Sequence, residues 1–155
     1  LISSPLLSAY TDAYHREDTS WIIKMLCTQL KLYVVVIVAL CTLVFFAGFI
    51  VGLWIGAEFV VSISLVIFVA FFVAVSTWNN IFAIMLNGAG AVNVQLYTAL
   101  AAMVVNIPLA LLMVKGFGMG VEGVVFAATL SLVFSAVLLP LQVYRLTRVE
   151  LSGIR

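Results

Sequence analysis

The stretch that decides the fold runs from residue 59 to residue 114 and reads FVVSISLVIFVAFFVAVSTWNNIFAIMLNGAGAVNVQLYTALAAMVVNIPLALLMV. Its 56 residues include no Asp, Glu, Lys, Arg or His. A helix needs only about 20 apolar residues to cross a bilayer. A polar, glycine-rich break, Asn87-Gly88-Ala89-Gly90, lies near the middle of the stretch. The stretch therefore predicts two membrane-spanning helices joined by a tight turn.

The composition of the whole chain favours a membrane environment. Hydrophobic residues make up 66% of the 155 residues and charged residues 8%, with a formal net charge of +1. Soluble domains contain about 25% charged residues, so lipid must cover most of this surface. So small a net charge gives no basis for binding nucleic acid. No signal-peptide pattern follows Leu1, and the lack of an initiator Met suggests a piece of a longer protein.

Four membrane spans emerge when the apolar stretches are divided at their turns. We expect them at residues 32–54, 59–86, 91–114 and 123–144. They lie in a transmembrane portion of residues 32–145, followed by a cytoplasmic tail of residues 146–155. Residues 1–31 are expected to hold the end of a preceding span and a cytoplasmic helical connector, with Asp18 or Ser20 as a helix cap. The predicted class is an all-α polytopic membrane protein.

Basic residues outside the spans predict the orientation. Four spans place both ends of the segment on one side of the membrane. Lys115 is the one basic residue that falls on the opposite side. The side that holds the ends carries Arg16, Lys24, Lys31, Arg145, Arg148 and Arg155. Because basic residues concentrate on the cytoplasmic side, we expect both ends to be cytoplasmic in a bacterial inner membrane.

The sequence gives no basis for catalytic chemistry. The single histidine, His15, lies in the charged connector. No phosphate-binding loop, metal-binding pattern or Ser-His-Asp arrangement can be assembled. The predicted spans also lack the titratable groups that a proton relay would need. We therefore expect no enzyme activity, no catalytic residue, no metal site and no cofactor.

Uncharged polar residues inside the spans are the candidate site. An amide in hydrocarbon is costly unless it is paired, so these side chains should face other helices or a wet cavity. One interpretation is ordinary hydrogen bonding between helices. The other is a polar cavity that accepts a hydroxyl-rich cargo. The candidate cavity residues are Ser76, Thr77, Trp78, Asn79, Asn80 and Asn106.

Other positions predict bends, turns and packing faces. Pro108 lacks a helical hydrogen bond and crowds the carbonyl of Val104, which predicts a kink. Asn87 and Gly88 are assigned to the turn, where glycine tolerates positive φ. Small residues repeat every four positions and predict close helix packing. They are Gly48, Gly52 and Gly56 in the first span, and Gly123, Ala127, Ser131 and Ser135 in the fourth.

Three patterns in order carry a resemblance to a known family. They are PLLSAYTDAY at 5–14 ahead of the charged connector and Trp21-Ile22, LNGAG at 86–90 with Gln95 five residues on, and NIPL at 106–109. Together they resemble the C-terminal part of Wzx-type oligosaccharide (O-antigen or capsule) lipid flippases. These proteins are similar to the drug-exporting MATE proteins of the multidrug/oligosaccharidyl-lipid/polysaccharide exporter superfamily. The resemblance covers nearly the whole chain.

The resemblance implies a fold and a function. The segment would be the end of helix eight and helices nine to twelve, a partial MATE-like lobe. Its partner would be the N-terminal lobe of the same polypeptide. The family flips undecaprenyl-pyrophosphate-linked oligosaccharide across the inner membrane for O-antigen and other polysaccharide biosynthesis. Asn79, Asn80 and Asn106 would then face the sugar, and cationic groups for the pyrophosphate would lie outside this segment.

Two alternatives stay open at this point. One is a MATE-type drug or cation exporter, which should carry a carboxylate in a span. The other is a four-helix membrane protein without transport activity, acting as an assembly scaffold.

Overall fold

A computed structural model describes residues 3–54 and 62–153, and these residues form helices and no strands. The helices are α1 (Ser3–His15), α2 (Thr19–Trp54), α3 (Ile63–Gly88), α4 (Val92–Leu111) and α5 (Gly120–Gly153). A π-helical turn, Leu112–Gly116, follows α4. Four described segments are long and apolar enough to cross a membrane: Thr19–Trp54, Ile63–Gly88, Gln95–Gly116 and Gly120–Leu146. The predicted all-α, polytopic membrane class is confirmed.

Helix α2 is longer than the span at 32–54. It runs unbroken for 36 residues from Thr19 to Trp54, or about 54 Å at 1.5 Å per residue. The hydrocarbon core is about 30 Å thick, so part of α2 must project beyond it. The exposed Lys24 and Lys31 mark that projecting part. The start of the second predicted span, residues 59–61, lies outside the described residues.

A tight turn connects α1 to α2. Glu17 has a φ of 55°, which reverses the chain direction. The next residue, Asp18, accepts hydrogen bonds through Oδ1 from the Ser20 hydroxyl at 2.7 Å and from the Trp21 backbone N–H at 3.0 Å. These two bonds lower the pKa of the Asp18 carboxyl. Asp18 is therefore the cap of α2, as the sequence indicated.

The turn between α3 and α4 is a Schellman motif. The backbone N–H of Ala91 donates to the Leu86 carbonyl at 2.9 Å, and that of Gly90 donates to the Asn87 carbonyl at 3.1 Å. Gly90 carries the left-handed φ of 70° that this motif requires. The positive φ expected within the break thus falls on Gly90, two residues after the end of α3.

The main apolar core lies at the same end of the molecule as this turn. Tyr10 of α1 is fully buried there, and its ring packs edge-on against Trp21 with centroids 5.5 Å apart. Its hydroxyl donates to Gln29 Oε1 at 2.8 Å. Burial raises the pKa of Tyr10 to about 12, so the phenol remains a neutral donor. Around it pack buried residues of α2, α3 and α5: Ile22, Phe82, Met85, Leu86, Leu139 and Val143.

Helix α5 is the common neighbour of α3 and α4. It packs along both, whereas α3 and α4 barely touch beyond their turn. A turn as short as the one predicted at residues 87–90 implies that the helices it joins are direct neighbours, but for α3 and α4 this is wrong. The small residues of α5 explain the difference, because they are buried and let both helices approach. They are Gly123, Ala127, Ser131 and Ser135, the predicted packing stripe.

The opposite end of the molecule is held by polar contacts and is more open. Glu122, in the first turn of α5, accepts hydrogen bonds from the hydroxyls of Ser62 and Ser64 at the start of α3. The other small-residue stripe behaves differently. No atom lies within 4 Å of a Cβ placed at Gly48 or Gly52, so these glycines do not serve close packing here. Gly56 lies outside the described residues.

Candidate functional site

A polar groove lies where α3 and α4 diverge over α5. Its volume is about 440 Å³. Alanine and leucine side chains complete its walls: Ala83, Ala99, Ala102, Leu132 and Leu139. The polar lining residues are Ser76, Thr77, Asn79 and Asn80 from α3, Gln95 and Thr98 from α4, and Ser135 from α5.

Helical spacing places the lining residues of α3 on one wall of the groove and those of α4 on another. On α3, Ser76, Asn79, Asn80 and Ala83 follow the i, i+3, i+4, i+7 pattern of a single helix face. The residues of α4 repeat it at Gln95, Thr98, Ala99 and Ala102. The Schellman turn fixes the register of the two faces, and α5 keeps them apart. The groove therefore starts near the turn and extends towards the middle of the spans.

Asn79 is the best-held polar group of the groove. It is 9% exposed, and its Nδ2 donates to the Leu132 carbonyl and to Ser135 Oγ, each at 3.2 Å. The Ser135 hydroxyl donates to the same Leu132 carbonyl at 2.8 Å. These bonds tie α3 to α5, as the interhelical interpretation proposed. The carbonyl oxygen of Asn79 has no partner among the described residues.

The hydroxyls of the groove bond to their own helices. Thr77 Oγ1 donates to the backbone carbonyl of Val73 at 2.7 Å, and Thr98 Oγ1 donates to the backbone carbonyl of Gln95 at 3.0 Å. Such bonds satisfy a hydroxyl in an apolar environment and leave its lone pairs free. Asn80 is exposed to the groove.

Trp78 lies outside the groove. Its ring packs against Tyr33 and Phe82, with centroids 5.4 Å and 5.0 Å away. Its indole N–H donates to the Ala136 carbonyl of α5 at 3.0 Å. Among the described contacts, Trp78 therefore acts as an anchor between α2, α3 and α5. The prediction placed it in the cavity because it is next to Asn79, but neighbours along a helix point in different directions.

Asn106 and Pro108 also lie away from the groove. Asn106 is half-buried on α4, one turn beyond the last groove residue of that helix, Ala102. Helix α4 passes through Pro108 and ends at Leu111, and the chain then widens into the π-helical turn Leu112–Gly116. The irregular backbone thus follows Pro108 by one turn.

Asn87 and Gly88 belong to the last turn of α3 and not to the loop itself. Gly88 is buried against Tyr10 of α1. The carbonyl oxygen of Asn87 is buried without a described partner, as is that of Gln142 in α5. The Gln142 amide donates to the Ala91 carbonyl at 3.4 Å. The Gln142 side chain therefore supports the turn, and both residues lie outside the groove lining.

Three polar groove residues were absent from the predicted site: Gln95, Thr98 and Ser135. Gln95 was noted only as part of a motif, and Ser135 only as a small packing residue. The i, i+3 spacing of Gln95 and Thr98 was an available signal, because it places two polar groups on one face of an apolar helix. The role of Ser135 depends on how α5 packs.

The groove is uncharged, and its polar side chains are set among a larger apolar surface. No ionisable side chain is among the described residues that line it. In the described ranges, no three His, Cys, Asp or Glu residues come together as a metal site. What the arrangement offers is amide and hydroxyl hydrogen bonding beside small apolar surfaces. Such a surface suits the alternating polar and apolar faces of an uncharged, hydroxylated ligand.

Comparisons with protein-family models, curated proteins and solved structures found no match to this chain.

Proposed function

We propose that this chain is part of a transporter that flips undecaprenyl-pyrophosphate-linked oligosaccharide across the bacterial inner membrane for polysaccharide or O-antigen biosynthesis. The observation that carries the proposal is the uncharged polar groove between α3 and α4. Polar groups inside spans are costly, so a groove that collects amides and hydroxyls favours a cargo with matching groups. The ordered resemblance to Wzx-type flippases points to the same cargo.

The proposed mechanism is alternating access between two lobes. The sugar occupies the polar groove, the lipid tail remains in the bilayer, and an N-terminal lobe of the same polypeptide completes the cavity. Cationic groups that bind the pyrophosphate belong to that lobe, because the described groove lining carries no charge. The cycle uses no ATP, and an ion gradient supplies the driving force.

The proposed orientation has both ends of the segment in the cytoplasm. Arg16 and the exposed Lys24, Lys31 and Arg145 lie at the end of the bundle that holds the α3–α4 turn. Lys115 lies at the opposite end, beside the start of α5. The positive-inside rule then places the turn, and the near end of the groove, on the side where lipid-linked sugar is made.

The test changes groove amides whose side chains make no described hydrogen bond to other helices. Asn80→Leu and Gln95→Leu, combined in the full-length protein, remove hydrogen-bonding groups without breaking the Asn79–Ser135 bonds. In cells without their own flippase, we expect surface polysaccharide to fall about tenfold or more, since two lost bonds of about 1 kcal/mol each exceed that factor. Membrane abundance, measured on the same cells, should stay at the wild-type level.

The matched control is Asn106→Leu, the same change on α4 outside the groove, and it should export normally. Wild-type export by the groove double variant would overturn the proposal. A loss of resistance to cationic drugs with intact polysaccharide would instead indicate the MATE-type exporter. If no variant changes either polysaccharide export or drug resistance, the result favours the scaffold.

A further inference from the structure

The neighbours of Asn79 fix the orientation of its side-chain amide. The Leu132 carbonyl oxygen can only accept hydrogen bonds, so the Asn79 atom 3.2 Å from it must be the NH₂ group. Ser135 Oγ has given its proton to the same carbonyl, so it too can only accept from Asn79. Turning the amide over would set two carbonyl oxygens against each other. Both amide hydrogens are therefore used on α5, and Oδ1 is left buried without a hydrogen-bond partner among the described residues.

Three hydroxyls of the groove have the same polarity. Thr77, Thr98 and Ser135 each donate their one hydroxyl proton to a carbonyl of their own helix. Only lone pairs are left to face a ligand. The Oε1 atom of Gln95 is a second buried carbonyl oxygen without a partner in the described chain. Among the described groove residues, donors remain on Ser76, Asn80 and the Gln95 amide nitrogen.

We propose that the α3–α4 groove binds the hydroxyl donors of an uncharged sugar, with the buried, unpartnered oxygens Asn79 Oδ1 and Gln95 Oε1 as the specificity-determining acceptors. This proposal rests on the proposed function and names the polarity of its sugar site. A deprotonated pyrophosphate has acceptor oxygens and no hydroxyl donors, so it cannot satisfy Asn79 Oδ1 or Gln95 Oε1. The groove therefore distinguishes the sugar part of the cargo from its anionic part.

The experiment removes donors from the ligand and acceptors from the protein. The full-length protein in nanodiscs is titrated calorimetrically with the free repeat-unit oligosaccharide of the host's surface polysaccharide and with its per-O-methylated form. Methylation keeps the sugar oxygens but removes every hydroxyl donor. We expect the free form to bind about tenfold more tightly, the effect of one or two lost hydrogen bonds.

Two variants test the assignment to named acceptors. Gln95→Met keeps the side-chain length without an acceptor and disturbs no described side-chain bond, so it should reduce the preference for the free form. Asn79→Leu should reduce it further, although it also removes bonds to α5, and its folding is checked by thermal unfolding. Asn106→Leu should keep the wild-type preference.

Each outcome separates this inference from the proposed function. Equal affinity of the wild type for both sugars would overturn the acceptor site and leave the flippase proposal standing. A preference that survives both Gln95→Met and Asn79→Leu would overturn the assignment to these residues. If neither sugar binds, both proposals fail. The variants could reduce the preference for the free sugar as expected while groove variants still export polysaccharide normally in cells. That result would support the acceptor assignment and overturn only the flippase proposal.

Discussion

Gly88 is determined by a contact between helices. A Cβ at this position would lie 2.5 Å from Tyr10 Cβ and 3.2 Å from the Tyr10 backbone carbon, which is too close for any other residue. Its backbone is helical, so conformational freedom is not the reason for glycine here. The residue that needs a left-handed φ is Gly90. The two glycines of this short motif are therefore needed for different reasons: Gly88 for the close contact with α1, and Gly90 for its positive φ.

Gly88→Ala should destabilise the protein by about 1–3 kcal/mol, because the added methyl group forces α1 away from α3. Gly48→Ala is the matched control, since it makes the same change in a helix where nothing lies within 4 Å. The control should be neutral or stabilising by up to about 1 kcal/mol through helix propensity. Unfolding in detergent micelles measures both, and equal effects would contradict the close approach of α1.

At the scale of the element, local contacts at the helix ends determine where each helix starts and stops. Asp18 caps α2, the Schellman motif at Gly90 closes α3, and a π-helical turn at Leu112–Gly116 finishes α4. Each end satisfies backbone groups that would otherwise be unpaired. The Asp18 cap also explains why α2 starts 13 residues before the predicted span at 32–54. A capped, exposed first segment can remain helical outside the bilayer.

Asp18→Ala should weaken the start of α2 by about 1 kcal/mol, whereas Asp18→Asn keeps a side-chain oxygen for the cap. Hydrogen exchange of the first-turn amides of α2 measures the difference. Because the fold lowers the Asp18 pKa below its usual 3.8, the extra protection from the carboxylate exists above that pH and disappears as the pH falls through the lower folded pKa. The Asn variant should lack this acid-sensitive step. Equal exchange in the Ala and Asn variants would contradict the cap.

At the scale of the whole molecule, α5 decides where the groove lies. Its small residues let it pack between α3 and α4 on one side, so the two helices joined by the tight turn diverge on the other. The polar faces of α3 and α4 then line an open space with Ser135 at its base. Trp78 bonds to α5 next to Asn79, and Glu122 joins the first turn of α5 to the start of α3.

The helix order predicts that the α3–α4 turn and the α4–α5 connection lie on opposite sides of the membrane. In a protein with Cys27 and Cys41 replaced by serine, a membrane-impermeant maleimide should label Lys115→Cys in intact cells. The same reagent should label Asn93→Cys only after the membrane is permeabilised. Labelling of both from outside would exclude a membrane crossing by α4. The reversed pattern would overturn the cytoplasmic placement of the ends.

Sequence alone was enough to predict the membrane environment, the all-α class, the tight turn at residues 87–90 and the presence of uncharged polar groups within apolar helices. These follow from local composition and from the length of hydrocarbon to be crossed. It also indicated Asp18 as a cap and the small-residue face of α5.

Which polar residues share a site depends on how the helices pack. Their packing brought Gln95, Thr98 and Ser135 to Asn79, left Trp78 and Asn106 outside, and gave Gly88 to a contact with Tyr10. The physical reason is that a helix's rotation about its own axis depends on its neighbours. Because α5 takes the place between α3 and α4, the lining of the groove depends on three helices at once, which no single stretch of sequence encodes.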